Sequence, residues 1–324
     1  MWLLILVGAL ALIALASVAF GARVVGWDDV TAALAGRTDT VDQAAVASRL
    51  PRTVLAMTVG AALGLAGAVL QGLTRNPLAD PAILGVTWGA SLAVVSGMVF
   101  LGISSATSFA WFAISGAGAA AVLVHVIGSL GRGGATPLKL ALAGAAVTAA
   151  FSSLVSAILL PRLEVMDRFR FWQIGGVGGA HLDTIAQVAP FLIVGALACL
   201  GVARGLNALA LGEDVAAGLG ENVTRTRIVA GVGAVLLCGA ATALAGPIGF
   251  IGLVVPHACR LLVGLDHRRL LPFSALAGAC LLTASDVVGR VVARPSEIDV
   301  GIITAVIGAP VFIAIVRRQK ARAL

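Results

Sequence analysis

The sequence predicts an all-α polytopic membrane protein that crosses the bilayer about ten times as a single domain, residues 1–324. Of its 324 residues, 60% are hydrophobic and 11% are charged, and the mean hydropathy is +1.05. Soluble domains contain about 45–50% apolar and about 25% charged residues. The apolar residues also form runs of bilayer length, which is about 20 residues. The 40 glycines fit the same class, because small residues let membrane helices approach closely.

Ten apolar runs are the predicted spans. They cover about residues 2–20, 53–73, 82–101, 109–130, 138–160, 185–203, 228–245, 253–263, 272–292 and 300–316. The first run also resembles a signal peptide. It lacks a basic leading region, however, and it exceeds the usual apolar core of about 7–15 residues. We therefore interpret it as a membrane span.

The polar segments between the spans carry their own structural signals. We expect a short helix outside the core in residues 21–50, and an interfacial helix followed by a turn in residues 161–183. Proline and glycine interrupt the third and eighth spans at residues 76–85 and 246–256. Broken helices are tolerated in membranes where they are buried or line a cavity. The two interruptions therefore favour a translocation pathway between two inverted repeats, spans 2–5 and 7–10.

The distribution of basic residues predicts the orientation. Ten spans place both termini on one side, together with the loops that follow spans 2, 4, 6 and 8. That side carries 13 of the 22 lysines and arginines, so we expect both termini to be cytoplasmic. Basic residues in short loops encode topology, and nucleic-acid binding is therefore not expected.

The most polar interruption between two spans is residues 204–227. An apolar residue recurs there every fourth position, which places these residues on one stripe of a helix. The stripe consists of Leu211, Val215, Leu219 and Val223. Three interspersed glycines favour two short helices with a turn over one continuous rod. We interpret this amphipathic segment as a docking surface for another protein on the cytoplasmic side.

Motifs for catalysis and cofactor binding are missing from the sequence. It contains neither H-E-x-x-H nor the phosphate-binding G-x-x-x-x-G-K-[ST], and its only lysines, Lys139 and Lys320, do not follow a glycine. His257 and Cys259 alone do not make a metal site. The four cysteines lie in apolar runs, as packing residues do. We expect no enzyme activity, metal or cofactor in this chain; if transport is driven by ATP, a partner subunit supplies ATP and Mg.

Asp286 is the one acid well inside a predicted span. A charge there costs about 2.5–3.5 kcal/mol on insertion scales, so its side chain should face protein or water. Arg290 lies four positions later on the same helix face. We favour an intrahelical ion pair that locks the bundle interior. The alternative is a proton or ion relay in a secondary transporter.

Eight motifs, taken in order, resemble the FecCD/BtuC family, the membrane permeases of ABC importers for iron-siderophores, haem and vitamin B12. The motifs are RLPRT (49–53), NPLADP (76–81), FWQIGG (171–176), LALGEDVAAGLG (209–220), GPIGFIGLVVPH (246–257), DHRRLLP (266–272), SDVVGR (285–290) and VGIITAVIGAPVF (300–312). The resemblance implies a prokaryotic cell-membrane protein with a second permease copy or like subunit. It also implies two cytoplasmic ABC ATPase subunits and an extracytoplasmic substrate-binding protein as partners.

The resemblance implies roles for individual residues. Those expected in the ATPase cleft are Leu211, Gly212, Glu213, Ala216, Leu219 and Gly220. Those expected to face outward and pair with acids of the binding protein are Arg49, Arg52, Arg290 and Arg294. Many members read E-I-P-V-G before the last span, whereas here Asp299 replaces the proline. This departure adds an acid and leaves the outer end of the last span less rigid.

The ligand is less well specified than the class. The family implies a ferric-siderophore-type ligand by frequency, with haem and cobalamin as alternatives. The spans are rich in Gly, Ala, Leu and Val, which favours a conduit that does not itself recognise its cargo. An ion-coupled secondary transporter that uses Asp286 is the alternative from a different functional class.

Overall fold

The computed structural model describes residues 2–77, 79–80, 85–130 and 136–322. These residues form 14 helices and no strand. The first seven helices are α1 (Trp2–Ala19), α2 (Trp27–Leu34), α3 (Val41–Thr74), α4 (Val86–Phe100), α5 (Ala106–Ser129), α6 (Pro137–Leu159) and α7 (Leu163–Ile174). The other seven are α8 (Leu182–Gly201), α9 (Ala203–Ala210), α10 (Glu213–Gly218), α11 (Val223–Ala245), α12 (Ile251–Val263), α13 (His267–Val292) and α14 (Val300–Arg322).

The helices match the predicted spans in number and order. Seven helices of the described chain, α1, α3, α5, α6, α8, α11 and α13, are long and apolar enough to cross a membrane. Three shorter apolar helices lie at Val86–Phe100, Ile251–Val263 and Val300–Ala314. The fold class, an all-α polytopic membrane protein, is confirmed. Helices α2 and α7 confirm the short helices expected in the two polar segments.

Helix boundaries differ from the apolar runs at several spans. Helix α3 begins at Val41 rather than near residue 53 and is 34 residues long. Thr40 caps it, because the Thr40 side chain accepts a hydrogen bond from the backbone of Gln43. Helix α13 begins at His267, where the Asp266 carboxylate accepts a hydrogen bond from a backbone N–H of the first turn. Capping residues outside the apolar runs therefore set where these helices start.

Helix α3 is the centre of the bundle and packs against α11, α12 and α13. It meets α13 at Gly60 and Gly64, where an added Cβ atom would overlap the backbone carbonyl oxygens of Gly278 and Ser274 respectively. Gly67 approaches the Gly252 carbonyl of α12 in the same way. Small residues thus permit backbone-to-backbone packing, as the Gly60-x-x-x-Gly64 spacing predicts.

The predicted break before the eighth span is present. Helix α11 ends at Ala245, and the chain reverses through Gly246 and Phe250, both with positive φ, before α12 begins. The buried Gly252 carbonyl has no donor within α12, because Pro256 four positions later lacks an N–H. Gln71 Nε2 of α3 donates to this carbonyl instead, over 3.0 Å. In the NPLADPAILG interruption, Leu78 and residues 81–84 lie outside the described residues.

The bundle has two ends that are named here by the helices they carry. The α10 end comprises α9, α10, the C-termini of α3 and α12, and the N-terminus of α13. The α7 end comprises α7, the C-terminus of α1, the N-terminus of α3 and the C-terminus of α13. Helix α1 runs toward the α7 end and α14 runs away from it. The first residue of α1 and the last residue of α14 therefore lie toward the α10 end.

Candidate functional site

The segment predicted as a docking surface folds as two short helices, α9 and α10. The turn between them contains Gly212, and the turn after α10 contains Gly220. Both glycines have positive φ, a conformation that glycine adopts without steric cost. The predicted break into two pieces is confirmed.

Three of the four residues of the predicted apolar stripe face away from the protein, whereas the fourth, Val223, is partly buried and packs against the core. Leu211, Val215 and Leu219 are exposed, with Leu219 at 67%. Ala216 lies beneath the stripe and is fully buried, so it supports the surface from within the chain and offers none of its own. A contiguous apolar patch on a polar surface is typical of a protein–protein docking site.

Glu213 connects this segment to two membrane-spanning helices. Its Oε1 atom accepts from Arg227 in the second turn of α11 and lies 3.5 Å from Nη2 of Arg75, the residue that ends α3. These exposed ion pairs are each worth about 0–1 kcal/mol. Their relevance is positional, because they place α10 in contact with both α3 and α11. Sequence analysis missed both partners.

A buried polar contact joins α3 and α12 near the same end. Arg260 Nη1 donates to Gln71 Oε1 over 2.6 Å, while the amide nitrogen of Gln71 donates to backbone carbonyls at the start of α12. Both ends of α12 are therefore attached to one residue of α3. An arginine near a helix C-terminus, as Arg260 is in α12, is the only sequence signal for this contact.

A cluster of charged residues occupies the α7 end. Asp286 lies between two arginines, with Oδ1 2.7 Å from Arg52 Nη2 and Oδ2 2.7 Å from Arg290 Nη2. Arg52 also contacts Glu297, with 2.6 Å between Nη1 and Oε2. Asp286 and Arg290 are both 1% exposed. The Asp286–Arg290 pair is the one that their spacing predicts, and Arg52 is an additional partner.

Three arginines in this cluster bind the carboxyl end of α1. Arg49 donates to the carbonyls of Val18, Ala19 and Arg23 over 2.7–3.0 Å. Arg290 donates to the carbonyls of Ser17 and Phe20, and Arg294 donates to that of Gly21. The last carbonyls of a helix have no partner within the helix and carry partial negative charge. Arg49 and Arg290 therefore cap α1 and attach it to α3 and α13, and all three guanidinium groups bind carbonyls of the segment that follows α1.

These contacts change which of the predicted docking arginines can meet a partner. Arg49 and Arg290 are buried and committed to α1, so they present no surface to another protein. Arg294 is exposed and the Arg52 side chain is 12% exposed. The docking role stays a prediction, and the structure limits it to Arg52 and Arg294.

Asp299 lies beside this cluster, immediately before α14. Its backbone carbonyl accepts from Ile302 N over 3.0 Å at the start of that helix. Its carboxylate lies close to Gly176, where an added Cβ would stand 2.7 Å from Oδ1. Partial desolvation raises the pKa of Asp299. Asp299 thus packs against the loop that follows α7.

Replacing Arg49 with glutamine is expected to lower the free energy of unfolding by about 3 kcal/mol, because hydrogen bonds from a charged donor are worth about 1.5–3 kcal/mol each. The measurement is thermal unfolding in detergent, combined with maleimide labelling of a cysteine placed at Val18. The four native cysteines are buried, so the introduced thiol should label faster in the variant. Arg37→Gln, on an exposed loop, is the control; equal labelling in Arg49→Gln and Arg37→Gln would refute the capping role.

The sequence matches the FecCD transport family over residues 9–318, which is nearly the whole chain. The chain belongs to the FecCD transport family. This finding confirms the resemblance drawn from the eight motifs.

Individual FecCD proteins match over most of their length. The ferric enterobactin transport system permease protein FepD of Escherichia coli (strain K12) is 46% identical over 319 residues, 98% of this chain and 94% of FepD. The probable siderophore transport system permease protein YfiZ of Bacillus subtilis (strain 168) is 42% identical, covering 94% of this chain and 91% of YfiZ. The cobalamin import system permease protein BtuC of Halobacterium salinarum is 42% identical, covering 85% of this chain and 74% of BtuC.

The fold also matches a solved structure. An inward-facing conformation of a metal-chelate type ABC transporter superposes with a TM-score of 0.81 at 30% identity, covering 96% of this chain and 97% of that one. The architecture is therefore that of an ABC transporter permease.

Proposed function

We propose that this chain is the permease subunit of an ABC importer that moves a ferric-siderophore-type ligand inward by alternating access. The observation that carries the proposal is the exposed stripe of Leu211, Val215 and Leu219, which Glu213 ties to α3 and α11. Such a surface suits a soluble subunit that must move membrane helices. Because the chain belongs to a transport family, we expect the soluble subunit that docks on this stripe to supply the energy for transport.

The proposal includes the partners that ATP-driven import requires. Two ABC ATPase subunits, holding ATP and Mg, would dock at the α10 end. A substrate-binding protein would dock at the α7 end, where Arg52 and Arg294 reach the surface. A second permease copy or like subunit would complete the pathway in the lipid bilayer. Both termini would then face the cytoplasm, because they share the α10 end with the docking surface.

The choice of ligand rests on what similar proteins are named for. FepD is named for ferric enterobactin, YfiZ for a siderophore and a further B. subtilis relative for Fe(3+)-citrate, whereas the Halobacterium relative is named for cobalamin. Most of these are ferric chelates, so a ferric siderophore is proposed ahead of haem or cobalamin.

Transport by the purified subunit and by the assembled complex tests this function. Proteoliposomes that contain the permease, a co-expressed ABC ATPase and the binding protein should accumulate a ⁵⁵Fe-labelled siderophore only when ATP is present. The permease alone should transport nothing under a proton or sodium gradient. Uptake by the permease alone would instead establish the secondary transporter that uses Asp286. ATP-driven uptake of only haem or cobalamin would reassign the ligand.

Reversing charge and polarity on the docking surface is expected to abolish ATPase binding without unfolding the permease. In the variant Glu213→Lys with Leu219→Arg, both side chains are exposed, so the free energy of unfolding should change by less than about 1 kcal/mol. Co-purification of the ATPase and ATP-driven uptake should both be lost.

Leu34→Arg is the matched control for this surface. Leu34 is also an exposed leucine, on α2 toward the α7 end. This variant should retain ATPase binding. Normal assembly of the Glu213→Lys, Leu219→Arg variant with the ATPase would contradict the docking assignment. The transport function is tested separately, by the uptake measurement above.

A further inference from the structure

A cavity of about 380 Å³ lies at the α10 end, where α8 ends and where α9 and α13 begin. Its lining residues are Leu200, Gly201, Ala203, Arg204, His267, Arg268 and Pro272. The cavity is on the protein periphery, and none of the residues of the exposed docking stripe lines it.

Two guanidinium groups line this cavity from different helices. Arg204 lies in the first turn of α9, and Arg268 lies in the first turn of α13. Both residues are exposed, and neither guanidinium forms a hydrogen bond or an ion pair with another described residue. The adjacent acid, Asp266, accepts from Asn207 Nδ2 over 2.6 Å and from Arg268 N over 3.0 Å, and it attracts the Arg268 side chain without forming an ion pair with it. The hydrogen bond from Asn207 holds the pKa of Asp266 below its usual range.

A hydrogen-bonded link fixes the spacing between the two sides of the cavity. Asn207 of α9 accepts through Oδ1 from the backbone N–H of His267 over 2.9 Å and contacts His267 Nδ1 over 2.8 Å. Because Asn207 Nδ2 donates to the Asp266 carboxylate, Oδ1 must be an acceptor, and His267 Nδ1 therefore carries the proton. This link joins α9 to α13, so Arg204 and Arg268 are held on elements that cannot move apart independently.

The apolar side of the cavity reaches into the membrane-spanning part of the bundle. Leu200 lies in the last turn of α8, and Pro272 lies in the second turn of α13, and both helices are long enough to cross the bilayer. Leu197 and Val194 continue this surface along α8 and are well exposed. The cavity therefore combines basic groups at the end of the spans with an apolar surface that runs along the hydrocarbon layer.

We propose that this cavity binds the phosphate group of an anionic phospholipid, with its acyl chains lying along α8. Basic pockets between membrane helices bind anionic lipid headgroups, and guanidinium groups match the geometry of phosphate oxygens. An acidic surface of the ATPase could pair with Arg204 and Arg268. It would not cover the apolar side of the cavity, which lies beside the membrane-spanning helices. The lipid would stabilise the position of α9, directly next to the proposed docking surface, although the binding proposal itself rests only on the cavity.

Lipid retention by the full chain tests the proposal. Permease purified in mild detergent is incubated with nanodiscs or mixed micelles that contain phosphatidylglycerol or phosphatidylcholine, and in a separate arm with inorganic phosphate in solution. Bound lipid is measured by native mass spectrometry. The wild type should retain phosphatidylglycerol in preference to phosphatidylcholine. The double variant Arg204→Gln, Arg268→Gln should bind it about 30-fold more weakly, as expected when two basic residues near a charged lipid are neutralised.

The control variant is Arg269→Gln, which removes a neighbouring exposed arginine that does not line the cavity and should leave retention unchanged. Thermal unfolding in zwitterionic detergent monitors folding of all three proteins. Equal retention by the wild type and the double variant would overturn the proposal. Displacement of the bound phospholipid by millimolar inorganic phosphate, without preference between the two lipids, would assign the site to free phosphate. Loss of ATPase binding with lipid retention intact would assign the arginines to the ATPase interface.

Discussion

Replacing Asp286 with leucine is expected to prevent most of the chain from reaching a stable folded state. The substitution leaves Arg290 buried without a counter-ion and removes the main partner of Arg52. Removing one member of a buried ion pair costs about 3–5 kcal/mol, which is a large part of the total stability of about 5–15 kcal/mol. Yield after detergent extraction, size-exclusion profile and thermal unfolding measure the effect.

Two further variants separate charge from packing in this cluster. Glu297→Gln removes the more exposed acid that contacts Arg52, so it should lower stability by less than about 1 kcal/mol. The double variant Asp286→Leu, Arg290→Met should recover part of the loss because it removes the uncompensated charge. Recovery should be incomplete, since Arg290 also caps α1. Full stability of Asp286→Leu alone would contradict the assignment.

Replacing Gly67 with alanine is expected to destabilise the chain by about 3 kcal/mol, at the upper end of what overpacking costs. The added Cβ would overlap the Gly252 carbonyl of α12, and a backbone group cannot rotate away as a side chain can. Intrinsic helix propensity alone would favour alanine by about 1 kcal/mol, so the steric effect reverses the expected sign.

Gly118→Ala on α5 is the matched control, because an added Cβ at Gly118 meets no atom within 4 Å. That variant should be neutral or slightly stabilised. Thermal unfolding of both variants in the same detergent gives the comparison. A Gly67→Ala protein as stable as Gly118→Ala would show that α12 shifts away from α3 at little cost.

Local patterns in the sequence predict a substantial part of the fold and of the candidate site. Apolar runs locate the seven described helices that are long enough to cross a membrane and the three shorter apolar ones. The four-residue spacing identifies both the exposed residues of the stripe and the Asp286–Arg290 pair. The glycines after Leu211 and Leu219 predict where the docking segment turns. In each of these cases the interacting residues lie within one or two helical turns, so the pattern is visible without the fold.

Contacts between distant parts of the chain could not be predicted in this way. Arg52 is 234 positions from Asp286, and Arg75 is 138 positions from Glu213. The arginine caps on α1 are harder still to predict, because every residue has a backbone carbonyl and the sequence does not show which carbonyls accept. Sequence analysis therefore identified Arg49 and Arg290 as important charged residues near one end of the bundle but assigned them to a partner protein. The start of α3 was also mispredicted, because hydropathy shows only which residues fit the hydrocarbon layer. The helix begins earlier, where Thr40 caps it.

The length and continuity of α3 have a mechanical consequence. Its 34 residues span about 51 Å as one helix. Arg52, which holds the charged cluster, and Arg75, which meets Glu213 of α10, are 23 positions apart, or about 35 Å along the helix. Pro51 interrupts the hydrogen-bond ladder before Arg52, but no proline or loop interrupts the part from Arg52 to Arg75. A force applied at one end of that part would therefore tilt or translate it as a rod. The two surfaces of the bilayer would then be linked by the stiffness of a single element, with a lever arm longer than the hydrocarbon core is thick.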